Sequence, residues 1–226
     1  MRNILSVIAV FFLAPLLVAA EPAEEFAKWE KEIAAIEARD AKEKPADGGF
    51  VFVGSSSIRL WDLKKSFPDL DAVNHGFGGS TIADSVHFVD RLVINLKPKI
   101  VVFYAGDNDI ATGKSPQQVA RDFRDFIAAV HAKLEDCKII YLPIKPSPAR
   151  WEMFEKQRQA NGLIRDRISA DPERLKYVDL VGPMLGDDVR PRPELFRDDK
   201  LHLSDEGYAL WNKLLLPHLE PKKRAE

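Results

Sequence analysis

The sequence is poor in cysteine, in surplus charge and in long apolar runs. Cys137 is its single cysteine among 226 residues. No internal disulfide can form, so folding must rest on an apolar core. The net charge of −2 leaves no basic footprint for a polyanion, so nucleic acid is not an expected partner. The one locally basic stretch, Pro221-Lys222-Lys223-Arg224, reads as part of a solvated tail over 221–226. Internal repeats and low-complexity segments are lacking too. One long apolar run exists, directly after Arg2, and Pro15 interrupts it. It closes on the small residues Val18 and Ala20 before the acidic "EPAEE", the pattern of a secretory signal peptide over residues 1–20. Retention as a membrane anchor is the alternative. Cleavage predicts a secreted or periplasmic protein with no stable membrane association. Lipid attachment at that cleavage site is excluded, because no cysteine stands there.

What remains is 46% hydrophobic over the whole chain, enough for one packed domain and short for two. Residues 21–47 read as an amphipathic helix and linker. Phe26, Trp29, Ile33 and Ile36 recur near helical period, and "KPADGG" then ends the pattern. The main domain is expected over 48–220. It contains five short strand-like runs: "FVFV" (50–53), "DAVN" (71–74), "KIVVFY" (99–104), "KIIYL" (138–142) and "KYVDLV" (176–181). Runs that are apolar at every position suit parallel strands covered on both faces.

Helical patterns separate these runs. Ser115-Pro116-Gln117-Gln118 combines an N-cap, a proline at the first helical position and a glutamine positioned for a capping box. Val119, Phe123, Phe126, Ile127, Val130 and Leu134 then form one apolar stripe. Ile82, Val86, Val89 and Leu96 form a second, and Phe154, Ile164 and Ile168 a third. Ser204 opens a last helix carrying Leu210, Trp211, Leu214 and Leu215. Strand–helix alternation predicts an α/β fold, a three-layer α/β/α sandwich around a five-stranded parallel sheet.

Ligands of open parallel sheets bind beyond the carboxyl ends of the strands. The first strand ends in Gly54-Ser55-Ser56-Ser57, the second in a glycine-rich loop through Gly79, and the third in Gly106-Asp107-Asn108-Asp109. The fifth leads to Asp198, Asp199 and His202. Acyl transfer needs this set of groups. A serine hydroxyl becomes nucleophilic when an imidazole takes its proton. A carboxylate fixes the imidazole tautomer. Donors must face the developing oxyanion, and Gly79 can offer a backbone N–H and Asn108 a side-chain amide.

In that order, Gly54-Ser55-Ser56, Gly79, Gly106-Asp107-Asn108-Asp109 and Asp199-Lys200-Leu201-His202 resemble the four motif blocks of the SGNH (GDSL-type) hydrolase family, over roughly residues 48–215. The resemblance implies a flavodoxin-like sheet in the order 2-1-3-4-5 and ester hydrolysis through a seryl intermediate. It assigns Ser56 as nucleophile, Gly79 and Asn108 as oxyanion donors with the backbone N–H of Ser56, and Asp199 and His202 as the rest of the triad. The family usually has an aspartate where this chain has Ser55. The Gly-x-Ser-x-Gly elbow of α/β-hydrolases is absent.

Asp198 is the alternative to Asp199, but Asp199 has the spacing that lets one loop present carboxylate and imidazole to each other. His75, on the glycine loop, is the rival to His202. His87 and His131 fall in helical patterns, and His218 follows Pro217 at the surface. No His-x-Glu or His-x-x-x-His pair suggests a metal, and this chemistry needs no cofactor. The roles of Arg59, Trp61, Arg150 and Trp151 stay open between packing and substrate contact. "PIKPSPARW" (143–151) is expected to rim the site as a stiff wall. The expected substrate is a short-chain, acetyl-like ester of a carbohydrate or other small alcohol. O-acyltransferase, lysophospholipase and thioesterase activity are alternatives, as is a non-catalytic carbohydrate-binding protein on a hydrolase scaffold.

Overall fold

A computed structural model describes residues 26–219. The expected signal peptide, residues 21–25 of the expected helix-and-linker segment and the basic tail lie outside the described residues. Strands β1 (Phe50–Gly54), β2 (Ala72–Gly76), β3 (Ile100–Tyr104), β4 (Lys138–Tyr141) and β5 (Leu175–Tyr177) form one sheet in the order β2-β1-β3-β4-β5. Every pairing is parallel.

Alternate side chains of a strand point to opposite faces, and the core divides accordingly. Val51, Val53, Val101, Phe103, Ile139 and Tyr141 enter one buried cluster. Phe50, Phe52, Val102, Tyr104, Ile140 and Leu142 enter another on the opposite face. Both faces are covered, which is why the sequence is apolar at successive positions.

The covering helices are, in chain order, α1 (Glu30–Glu43), α2 (Ser56–Arg59), α3 (Leu63–Ser66), α4 (Ile82–His87), α5 (Val89–Leu92), α6 (Asp107–Ala111), α7 (Pro116–His131), α8 (Phe154–Ser169) and α9 (Asp205–Leu219). Helices α1, α4, α5, α7 and α8 pack on the first face. Helices α2, α3 and α9 pack on the second. Helix α7 buries Val119, Phe123, Phe126, Ile127 and Val130, with the Phe126 ring 4.3 Å from that of Phe103. Each such buried side chain contributes about 1.5–3 kcal/mol. Ser115 caps α7 by accepting from the Gln118 N–H at 3.2 Å. The Gln118 side chain instead donates to Asp122 at 2.6 Å, so half of the expected capping box forms.

Two expectations need correction. The stripe from Ile82 to Leu96 is not one helix. Backbone at Phe88 and Val93 leaves helical geometry, giving α4, α5 and a 3-10 turn over Ile94–Leu96. Phe88 at the first break packs edge-on against Phe77. The last strand is shorter than "KYVDLV". Asp179 accepts from the Val181 N–H at 2.9 Å, a local turn that competes with the ladder. Val178 and Leu180 stay buried, so their apolarity reports burial without strand. No helix among the described residues is long and apolar enough to cross a membrane.

Candidate active site

The chain leaves β1 at Gly54, whose φ is +137°. A Cβ there would stand 1.9 Å from the backbone oxygen of Tyr104. Glycine therefore lets β1 and β3 stay paired while the chain turns, and the Ser55 N–H donates to that same oxygen at 2.9 Å. Ser55 and Ser57 are buried, and partly exposed Ser56 opens α2. The first N–H groups of a helix have no intrahelical carbonyl to serve, which leaves that of Ser56 available to a ligand.

His202 Nε2 lies 3.0 Å from Ser56 Oγ. His202 Nδ1 lies 2.6 Å from Asp199 Oδ2. The other oxygen, Asp199 Oδ1, accepts from the Leu201 and His202 N–H groups, each at 2.9 Å. Desolvation pushes the Asp199 carboxyl up, but the His202 ring and those two N–H groups outweigh it and hold its pKa at about 2. An ionised carboxylate that only accepts fixes the proton of His202 on Nδ1. Nε2 then faces the Ser56 hydroxyl as an acceptor, the geometry for withdrawing its proton.

The loop after β2 supplies the second side of the site. Gly79 has φ +86° and is exposed. The loop is held at its far end, where Thr81 and Asp84 form a capping box at the start of α4. Buried Asp109 accepts from the Ile82 N–H at 3.1 Å and pairs with Lys114 at 3.0 Å. Burial nevertheless raises the Asp109 pKa, because desolvation exceeds the help from Lys114. Asn108, in the first turn of α6, reaches back to this loop and donates from Nδ2 to the Ser80 carbonyl at 3.0 Å. Three strand ends thus bring Ser56, Gly79 and Asn108 to one edge of the sheet.

Behind Asn108 is a polar cluster that sequence reasoning did not identify. Asp107 Oδ1 receives Arg150 Nη1 at 2.8 Å and Gln157 Nε2 at 3.1 Å. Asp107 Oδ2 lies 3.3 Å from Lys145 Nζ, which also donates to the Tyr104 hydroxyl at 3.1 Å. Lys145 is fully buried. Desolvation opposes its charge, yet Tyr104 and Asp107 win and raise its pKa. A buried lysine would have been visible in "PIKPS" only as a charge amid apolar residues, and nothing in the spacing names its partner.

The remaining candidates fall elsewhere. His75 is not on the glycine loop. It is inside β2 and fully buried, with Nδ1 2.6 Å from the Leu92 carbonyl and Nε2 2.9 Å from Asp40. It therefore has a carboxylate beside it, supplied by α1, which the short-range spacing did not reveal. His87 is exposed and stacks on Phe26 at 3.9 Å. His131 bonds the Cys137 carbonyl at 2.9 Å. His218 is inside α9 and partly exposed. Asp198 is exposed. Trp61 is core, 2% exposed, with its indole N–H donating to Asn212 at 2.9 Å. Arg59 is exposed, and its guanidinium lies against Gly78, where a Cβ would meet it at 2.6 Å. Trp151 stacks on Phe154 at 4.6 Å and carries Arg190 over its ring. It helps line a groove of about 530 Å³ with Pro148, Pro191, Phe196 and Lys200. The Trp29 ring of the N-terminal segment stands 3.6 Å from where a Gly79 Cβ would be. Among the described residues, no three of His, Cys, Asp and Glu gather closely enough to hold a metal ion.

Comparison with known proteins bears on the family and the fold. The model of the GDSL-like Lipase/Acylhydrolase family matches residues 59–210, two-thirds of the chain. That stretch contains Gly79, Asn108, Asp199 and His202 and begins just after Ser56. Among curated proteins none matches the sequence. Solved structures share the fold. A Streptococcus pneumonia protein provisionally described as a platelet activating factor superposes with a TM-score of 0.76 at 19% identity, covering 88% of this chain and 96% of its own. A GDSL-like lipase from Bacteroides thetaiotaomicron gives 0.69 at 23% identity over 86% and 96%. A carbohydrate esterase family 3 protein from Talaromyces cellulolyticus gives 0.62 at 18% identity over 76% and 96%. The sheet order and layers here are those of the SGNH hydrolase fold.

Proposed function

Because the chain belongs to the GDSL-like lipase/acylhydrolase family, we propose that this ester hydrolase acts on short-chain esters, above all acetyl esters, of a carbohydrate or another small polar alcohol. The observation that carries the reading is the relay of Ser56, His202 and Asp199, with successive distances of 3.0 and 2.6 Å. Ser56 Oγ attacks the ester carbonyl as its proton passes to His202 Nε2. The oxyanion is held by the N–H groups of Ser56 and Gly79 and by Asn108 Nδ2. When it collapses, His202 gives the proton to the departing alcohol. Water then enters on the same path, losing its proton to His202, and frees the acid and Ser56.

The shape of the rim supports the finer reading. The Trp29 ring stands beside Gly79 and offers an apolar surface next to that oxyanion donor. The groove beside Lys200 combines proline and aromatic rings with the charged Glu152, Arg190 and Lys200, so it offers a sugar-like alcohol both ring faces and polar partners. The apolar run over residues 1–20 supports secretion or export to a periplasm. The test is turnover across p-nitrophenyl esters of increasing chain length together with acetylated sugars. We expect kcat/KM to be highest for acetate and to fall steadily with length. A maximum at long chains would overturn the reading.

The relay has a pH signature. Asp199, held at about 2, is ionised throughout the working range, so its carboxylate adds no ionisation step to the profile there. The sign is that of a carboxylate depressed on folding. Its contribution exists above the ordinary carboxylate range and is lost as pH falls toward 2. Asp199→Asn should lower kcat by about 10²–10⁴, because an amide can donate to Nδ1 and impose the wrong tautomer. Two ionisations on the acid side of the wild-type kcat/KM profile would contradict this role.

A further inference from the structure

We propose that Arg150 is a positioning residue that fixes which end of the Asn108 amide faces the reaction. The inference rests on the reading of Asn108 as an oxyanion donor. A side-chain amide has one donor end and one acceptor end, and a half-turn about its last bond exchanges them. Only the Nδ2 end can stabilise an oxyanion. Presented the other way, Oδ1 would repel it.

Both ends of this amide are held by partners of opposite kind. Arg150 Nη2 donates to Asn108 Oδ1 at 3.1 Å. Guanidinium has no acceptor, so this contact permits only the oxygen there. Nδ2 meets the Ser80 carbonyl at 3.0 Å, which can only accept. One amide hydrogen is engaged with Ser80, and the second is left for the substrate. Without Arg150, the Ser80 contact alone must oppose rotation.

The geometry of Arg150 fits this task. Its planar fork meets two acceptors at once, Asn108 through Nη2 and Asp107 through Nη1 at 2.8 Å. Asp107 is itself anchored by Lys145 and Gln157, both fully buried or nearly so. The backbone of the same segment is tied to the acid–histidine loop, since the Ala149 N–H donates to the Lys200 carbonyl at 3.0 Å. One segment after β4 therefore references the oxyanion donor to the loop that carries Asp199 and His202. The guanidinium charge adjoining Oδ1 also polarises the amide, which strengthens its N–H groups as donors.

The test is a double-mutant cycle on kcat and KM with p-nitrophenyl acetate. Arg150→Met should lower kcat by about 10–10²-fold, as for a small misplacement of a catalytic group, with KM nearly unchanged. Asn108→Ala should lower kcat by about 10²–10³-fold. With Asn108→Ala already in place, adding Arg150→Met should cost little more, because there is no amide left to orient. An equal cost in both backgrounds would overturn the proposal and leave the oxyanion reading intact. An unchanged kcat in Asn108→Ala alone would instead sink that reading. Arg150→Lys guards against a general loss of folding. It keeps the charge beside Asp107 but cannot span both acceptors, so kcat should stay low while the melting temperature holds. Full rescue by lysine would mean that charge alone matters, and would overturn the role of the fork.

Discussion

Ser56→Ala is expected to abolish nearly all turnover, by about 10⁵–10⁶ in kcat, and His202→Ala by about as much. The double variant should be little worse than either, because the two side chains act as one unit. The geometry behind this is the 3.0 Å contact between Ser56 Oγ and His202 Nε2. Neighbouring serines provide the control. Ser55 and Ser57 are 2% and 1% exposed, so their hydroxyls cannot meet a substrate, and alanine at either should retain much activity. A covalent organophosphate followed by peptide mass spectrometry locates the nucleophile directly. Labelling of Ser55 or Ser57 would refute the assignment. His75→Ala separates the buried imidazole–carboxylate pair from the partly exposed one at Ser56. It should cost stability, since its ring is wedged between Leu92 and Asp40, and it should leave the shape of the pH profile unchanged.

The largest effect on folding is expected at Gly54. Alanine there places Cβ 1.9 Å from the oxygen and 2.7 Å from the carbon of the Tyr104 carbonyl. Both are backbone atoms in the neighbouring central strand, so no side chain can swing away. Relief requires β1 and β3 to separate where the Ser55 N–H bonds that same oxygen. Gly54→Ala should destabilise by about 4 kcal/mol or more, which places it among the exceptional substitutions. For a chain of this size that is roughly 10 °C or more in melting temperature. Gly113→Ala is the comparison. Its φ is +96°, also unfavourable for alanine, but nothing lies within 4 Å of the added Cβ. It should cost about 1–3 kcal/mol from backbone strain alone. Equal losses at the two positions would show that steric contact with β3 is not what Gly54 avoids.

The strands were legible because a sheet covered on both faces demands apolar residues at consecutive positions, and "KIVVFY" and "KIIYL" satisfy that demand. The carboxyl ends of strands then said where polar residues must converge. Serine, glycine, asparagine and the Asp199–His202 pair could be gathered without knowing a single distance. Legibility stopped where a contact depends on a tertiary partner far along the chain. Trp61 looked like a possible rim residue, yet its indole meets Asn212 across 151 positions. Arg150 meets Asn108 across 42, over the whole of α7 and β4, and no spacing rule links them. Asp40 reaches His75 from a helix that precedes the sheet, so no local spacing announced that pair. Local competition hid the rest. Asp179 ended β5 with a turn of its own, although the buried Leu180 continued the apolar pattern.

The matched family region starts at residue 59, but the working unit begins well upstream of it. Helix α1 contributes Ile33 and Ile36 to the core, Asp40 to the buried ring of His75, and an arginine, Arg39, that bonds the Asn74 carbonyl in β2. Just before it, Trp29 leans over Gly79. A shortened version drawn to the family boundary, or even to the first strand, would uncover part of one face of the sheet and strip the ring beside Gly79 together. For anyone grafting, swapping or trimming this enzyme, the N-terminal helix travels with the catalytic half. The boundary that sequence comparison draws is not the boundary at which the protein can be cut.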